Sequence, residues 1–215
     1  FTLPPDWQGN ANEPKRAIGF FIHPNGLGLF LAPLLAWLLP DMAEKLSSWR
    51  KAPNFIYVLA WLVGALGLFL SLSRGGWFGL AAAGVVFVLL SANKKYLMTS
   101  GIAAVIILLV IAVTPNLRYR LILWHTGQKM IAYSPVLGKG LNGFKDNWDK
   151  YNTDPGLDHY NFPHNILLNF WVDTGLLGVI SMGWIMLYGL IRGIRGRGNK
   201  HKFALALFLI AIIVH

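Results

Sequence analysis

The sequence predicts an all-α protein, a polytopic bundle of membrane helices with an extracytoplasmic loop that carries an amphipathic helix. Three observations predict it. Of 215 residues, 55% are hydrophobic and only 13% charged, with a mean hydropathy of +0.50, whereas a soluble domain is about 25% charged. Five or six apolar stretches approach the roughly 20 residues needed to cross a bilayer. The basic residues are also divided unevenly among the segments joining those stretches. Together these exclude an ordinary soluble domain. The absence of cysteine removes disulfides, thiolate catalysis and cysteine metal sites.

The elements follow in order. Residues 1–17 are polar and proline-rich, without the basic and apolar regions of a signal peptide, and read as an extracytoplasmic segment. Residues 18–114 hold four spans, at 18–39, 54–72, 75–91 and 96–114, the first interrupted by His23-Pro24-Asn25, either a kink or backbone lining a cavity. Residues 115–162 form a long loop, helical in its first half and irregular in its second, which is Asn/Asp/Gly/Tyr-rich. A span over 163–191, a basic loop over 192–202 and a shortened span over 203–215 complete the chain. It opens without methionine and stops inside an apolar run, so it reads as a piece of a larger membrane protein.

Alternating the loops between two sides puts ten basic and two acidic residues on one side, including Lys45, Arg50, Arg192 and Arg195. The other side holds nine basic and seven acidic residues. The positive-inside rule makes the first side cytoplasmic and turns the 115–162 loop outward. Most of the net charge of +10 is therefore topology rather than a nucleic-acid footprint, and no nucleic-acid partner is expected.

Three features can carry chemistry. Arg74, in SLSRGGW, lies where two spans meet with almost no loop. It either snorkels to the interface or meets an anion, for which Gly75-Gly76 and the start of the next helix leave room. Arg120 projects from the same side of a helix as Leu117, Leu121, Trp124 and Ile131, whereas Arg118, His125 and Lys129 share the opposite side. A guanidinium on an apolar face needs a carboxylate or an oxyanion such as phosphate. Third comes FPHNILLNFWVDTGLLG. Pro163 as first helical residue would put His164 in the first turn, where the helix dipole disfavours its protonated form. His164 could there accept a proton or make a structural hydrogen bond. Asn165, Asn169 and Asp173 follow at four-residue spacing as a supporting polar stripe expected to line a cavity.

No nucleotide-binding glycine loop, Ser-His-Asp elbow or HExxH metal motif is present, so no cofactor and no metal site is expected. Asp146, Asp149, Asp154 and Asp158 fit no calcium-loop spacing and read as a solvated loop.

The runs GFFIHPNGLGLFL, LSLSRGGWFGLAAAG, RLILW with SPVLGKGLNGF, and HNILLNFWVDTGLLG, taken in order, resemble the O-antigen ligase and polymerase superfamily of bacterial membrane glycosyltransferases. The resemblance covers residues 17 to about 190. It implies an all-helical enzyme of the bacterial cytoplasmic membrane, with its site facing the periplasm or exterior, moving a glycan from an undecaprenyl diphosphate donor to a glycan or lipid-linked acceptor. It also implies that His164 is the catalytic histidine and that Arg74 and Arg120 bind the lipid diphosphate. Asp173 stands where the family usually has Glu. The chemistry agrees, since fixed guanidinium charge can stabilise a departing diphosphate without a metal and a neutral histidine can take the acceptor proton. Direct attack inverts the anomeric carbon. The competing expectations are a transporter or flippase for an anionic lipid-linked saccharide and a non-catalytic subunit whose outer loop docks a partner.

Overall fold

A computed structural model describes residues 16–91 and 117–215, apart from positions 22, 47, 49, 52, 155 and 158. The span expected over 96–114, nearly all of the 1–17 segment and Asp158 lie outside the described residues. Among the described residues there are eight helices and no strand. The chain divides into two compact units, one of Phe1–Ala112 with Gly189–His215 and the other of Val113–Tyr188.

The first unit contains α1 (Pro24–Leu46), α2 (Asn54–Leu70) and α3 (Arg74–Leu90), together with the C-terminal helix (Lys200–Val214). The His23-Pro24-Asn25 interruption proves to be a helix start. Pro24 is the first helical residue, where its missing N–H costs nothing, and the His23 carbonyl accepts from Gly26 N at 2.9 Å. The helix then runs through Pro40, where the expected span stopped, to Leu46. Just before Pro40, the Trp61 indole donates to the Leu35 carbonyl at 3.2 Å.

Small residues let these helices approach closely. A Cβ on Gly79 would stand 2.4 Å from the Ala211 carbonyl oxygen, and one on Gly76 would stand 3.2 Å from Gly28 Cα. Around those contacts Ala36, Ala83, Phe87, Leu207 and Ala211 form one core and Ala32, Leu35 and Leu68 another. Lys200 bridges Asp41 and Glu44, and the two carboxylates hold its ammonium charged well above the usual lysine range.

The second unit contains α4 (Leu117–Tyr133), two single-turn helices α5 (Gly143–Asp146) and α6 (Trp148–Tyr151), and most of α7 (Ile166–Arg195), leaving the C-terminal helix as α8. The second half of the outer loop, expected to be irregular, is organised by its aromatic residues. Phe144, Trp148 and Tyr151 are buried with Leu123 and Met130 of α4 and Val172 of α7.

By length and composition α1 and α7 are apolar enough to cross a membrane, while α2 and α3 are apolar helices of 17 residues. α7 is not continuous. Gly175 has φ 70° and ψ −168°, a region almost restricted to glycine. The segment between α4 and α5 fills the break. Lys139 N donates to Val172 O at 2.6 Å, Gly140 N to Asp173 O at 3.0 Å, and Leu176 N to Pro135 O and Val136 O at 3.0 and 3.1 Å. The backbone groups freed by the break thus find partners in that loop.

Candidate functional site

His164 does not lie in the first turn of α7. The helix starts at Ile166, and Asn165 caps it by accepting from Leu168 N at 3.0 Å. Pro163 is buried ahead of the cap, and His164 adopts a left-handed φ of 51°. A non-glycine residue held there stores backbone strain of about 1–3 kcal/mol. The imidazole keeps solvent-accessible surface and packs edge-on against Tyr160, with ring centroids 6.3 Å apart. Tyr160 in turn stacks on Tyr119 of α4 and tilts against Trp148. The aromatic core beneath α5 and α6 therefore supports the histidine.

Burial within this cluster is the larger influence on His164 and the positive charge of Arg120 the second, and both lower its pKa below the usual 6.5. The imidazole is consequently neutral at physiological pH. Its neutrality comes from burial and from the guanidinium charge nearby, not from a position in the first turn of a helix. Arg120 and His164 are brought within electrostatic reach of one another, on the same unit.

Arg120 sits at the edge of the buried face of α4. That face is formed by Leu123, Thr126, Gly127 and Met130, whereas Leu121, expected to be buried beside Arg120, is 51% exposed. The guanidinium is half-buried. Neither Arg120 nor Arg74 has an ion-pair or hydrogen-bond partner among the described residues, so no carboxylate there satisfies them. Arg74 belongs to the first unit, exposed as the first residue of α3, with Ser73 Oγ capping that helix by accepting from Gly76 N.

The residues of the polar stripe make local hydrogen bonds among the described residues. Asn165 serves as the cap, Asn169 Nδ2 donates to Asp173 Oδ2 at 3.4 Å, and Asp173 Oδ1 accepts from Gly143 N at 2.9 Å. Asp173 thereby fastens α5 onto α7. A shallow groove on the second unit is lined by Leu121, Ile122, Trp124, His125, Gln128 and Thr153. In the acidic segment Asp154 accepts from Gly156 N and Asp149 lies 3.6 Å from His159. Among the described residues no group of His, Asp and Glu could hold a metal ion.

One residue carries no signal in the local sequence. Arg16 donates from Nε to Ser71 O at 2.9 Å and from Nη2 to Leu72 O and Asn25 Oδ1, both at 3.0 Å. Ala17 N adds a bond to Leu70 O at 2.9 Å. A cationic donor thus caps the C-terminus of α2 and secures a turn in which Leu72 is held at φ 49°, two residues before Arg74. Nothing in the local pattern marks Arg16, because its backbone partners lie more than fifty residues away in sequence.

Neither the curated proteins nor the solved structures contain a match to the chain. A family model described as O-antigen ligase matches residues 58–183, an interval that includes Arg74, Arg120, His164 and Asp173. That interval is more than half of the sequence, and the chain belongs to the O-antigen ligase family.

Proposed function

We propose that this protein is a polytopic membrane glycosyltransferase of the ligase or polymerase type. It moves a glycan from an undecaprenyl diphosphate-linked donor to an acceptor hydroxyl on the outer face of the bacterial cytoplasmic membrane. Family membership supports a glycosyltransferase-like enzyme acting on lipid-linked glycans at a membrane. The observation that carries the finer reading is an accessible His164, its pKa lowered by burial and by the charge of Arg120, on the same unit as that guanidinium, which has no partner among the described residues.

In the proposed reaction the acceptor oxygen attacks the anomeric carbon as the bond from that carbon to the diphosphate oxygen breaks. The bonding pair leaves with the diphosphate, and the acceptor proton passes to the neutral imidazole of His164, from which water later removes it. Arg120 bears on the departing charge, and a fixed guanidinium near a low-dielectric membrane face is worth far more than one in bulk water. Arg74, exposed at the start of α3 and without a partner among the described residues, is proposed as a second diphosphate-binding cation. One displacement gives inversion. Asn165 and Asp173 support the site through the backbone amides they hold, and Asn169 through its bond to Asp173.

The test is the protein in liposomes with a lipid diphosphate-linked oligosaccharide and a panel of acceptors, read by mass spectrometry and by the anomeric configuration of the product. A new glycosidic bond of inverted configuration, lost in Arg120→Ala, is expected. Labelled lipid that changes leaflet without covalent change would replace this reading with a transporter. Neither product nor movement, with both arginines replaceable without effect on a bound partner, would replace it with a docking subunit.

A further inference from the structure

The break in α7 divides a helix of 30 residues into two parts of different character. From Leu176 to Arg195 the chain is about 30 Å long at 1.5 Å per residue, the thickness of a hydrocarbon core. Leu177, Ile180, Trp184, Ile185 and Tyr188 are exposed along it, and Arg192 and Arg195 stand at its end. The preceding part, from Ile166 to Thr174, carries Asn169 and Asp173, both engaged in polar contacts.

The loop between α4 and α5 is hydrogen-bonded onto this junction through Pro135, Val136, Lys139 and Gly140. Its apolar side chains turn outward. Leu137 is 78% exposed, Leu141 84% and Tyr133, just before the loop, 74%, with Val136 also exposed. Large apolar side chains grouped this openly mark a contact surface.

Two observations select lipid as the occupant. The loop is joined by backbone hydrogen bonds to the first residue of the exposed apolar helix, so the two surfaces meet at Leu176. Moreover, no acidic residue occurs between positions 117 and 145, while Lys129, Lys139 and Lys145 do, a charge pattern suited to lipid phosphates. The Lys139 ammonium is held by the Tyr151 hydroxyl at 3.2 Å, close to the Tyr133 ring. Amphipathic aromatic side chains of this kind settle at headgroup level.

We propose that residues 134–142 rest in the outer-leaflet interface with Val136, Leu137 and Leu141 in the acyl region, which makes Gly175 the outer membrane boundary of α7. This rests on the membrane reading above. The membrane span of α7 then begins at Leu176, and Asn165, Asn169 and Asp173 belong to the headgroup layer rather than the hydrocarbon. A polar stripe in that layer has no intramembrane cavity to line.

The cysteine-free chain allows single substitutions Leu137→Cys, Leu141→Cys, Ile185→Cys and Asp149→Cys to be labelled with an environment-sensitive fluorophore in lipid nanodiscs. Quenching by spin-labelled lipid is compared with quenching by aqueous iodide. At 137 and 141 the expected result is blue-shifted emission with lipid quenching at least about twofold stronger than iodide quenching. Position 185 should respond to the deeper lipid label and position 149 to iodide. Positions 137 and 141 behaving like 149, with 185 still quenched by lipid, would overturn the proposal and leave the membrane reading standing. Position 185 quenched by iodide alone would overturn both.

Discussion

Replacing Gly175 with alanine tests the broken helix and its threaded loop together. A Cβ at this position would stand 2.0 Å from the Val136 carbonyl oxygen and 2.7 Å from Gly138 N, so the loop has to move. A non-glycine residue at φ 70° and ψ −168° costs about 1–3 kcal/mol in strain alone. Displacing the loop also removes the bonds from Lys139 N, Gly140 N and Leu176 N, each worth about 1 kcal/mol net. Alanine returns about 0.4–1 kcal/mol by restricting the unfolded chain, which leaves a loss of about 3–5 kcal/mol. For a chain of this length about 2–4 °C of melting temperature follows each kcal/mol, so Tm should fall by about 10 °C. Gly183, within the same helix, has nothing within 4 Å of a built Cβ, and Gly183→Ala should be neutral or raise Tm slightly. The assay is tryptophan-monitored thermal unfolding of both variants in one detergent. A Gly175→Ala protein melting within about 2 °C of wild type would refute the reasoning, because the strain and the lost loop bonds would then have cost almost nothing.

Other outcomes follow from the same contacts. A group whose folded pKa is depressed below 6.5, as for His164, leaves stability untouched above that value and erodes it as pH falls through about 6.5. Activity should follow, with an acid limb of kcat/KM below 6.5; Arg120→Gln should move the limb of its residual activity upward, yet short of 6.5, since burial remains the larger cause. Arg16→Ala removes the hydrogen bonds to Ser71 O and Leu72 O in the α2–α3 turn and to Asn25 Oδ1, and should raise KM for the lipid donor several-fold with a smaller change in kcat, with Arg16→Lys partly restoring it. Asp173→Ala should destabilise the protein by about 1.5–3 kcal/mol, the value of a charge-assisted bond, in urea unfolding, because it frees the Gly143 amide. Lys200→Ala should cost about 1 kcal/mol or less by the same measurement, since the ion pairs it makes are exposed.

Much of the helical framework was legible as hydropathy. The expected spans at 54–72 and 75–91 correspond to Asn54–Leu70 and Arg74–Leu90, and the amphipathic run LRYRLILWHTGQKMIAY is α4. The orientation of α4 was not legible. Its buried face includes Thr126 and Gly127, small residues selected by closeness of approach, since a Cβ on Gly127 would meet Leu168 at 2.8 Å. Such residues add little to the apolar character by which a helix face is recognised in sequence, so the pattern pointed to Leu121 instead. The break at Gly175 left a trace in the overlong apolar run from 163 to 191, which exceeds what one untilted span requires. At the candidate site, residue type identified side chains that need partners without saying which partners satisfy them. Asp173 answers a backbone amide across thirty residues and Arg16 three acceptors across as many as fifty-six, relations that only the fold creates. His164 and Arg120 stand out in the sequence because a titratable group beside a proline and a cation among apolar residues are conspicuous even in one dimension.

The proposed reaction depends most on His164 as the group that accepts the acceptor proton. The most direct measurement is single-turnover transfer from a lipid diphosphate-linked oligosaccharide by wild type and His164→Ala at matched membrane insertion. General-base catalysis is worth about 10²- to 10⁴-fold, so the variant should bind donor with unchanged affinity and transfer at least about a hundredfold more slowly. Transfer within a few-fold of wild type would contradict that role.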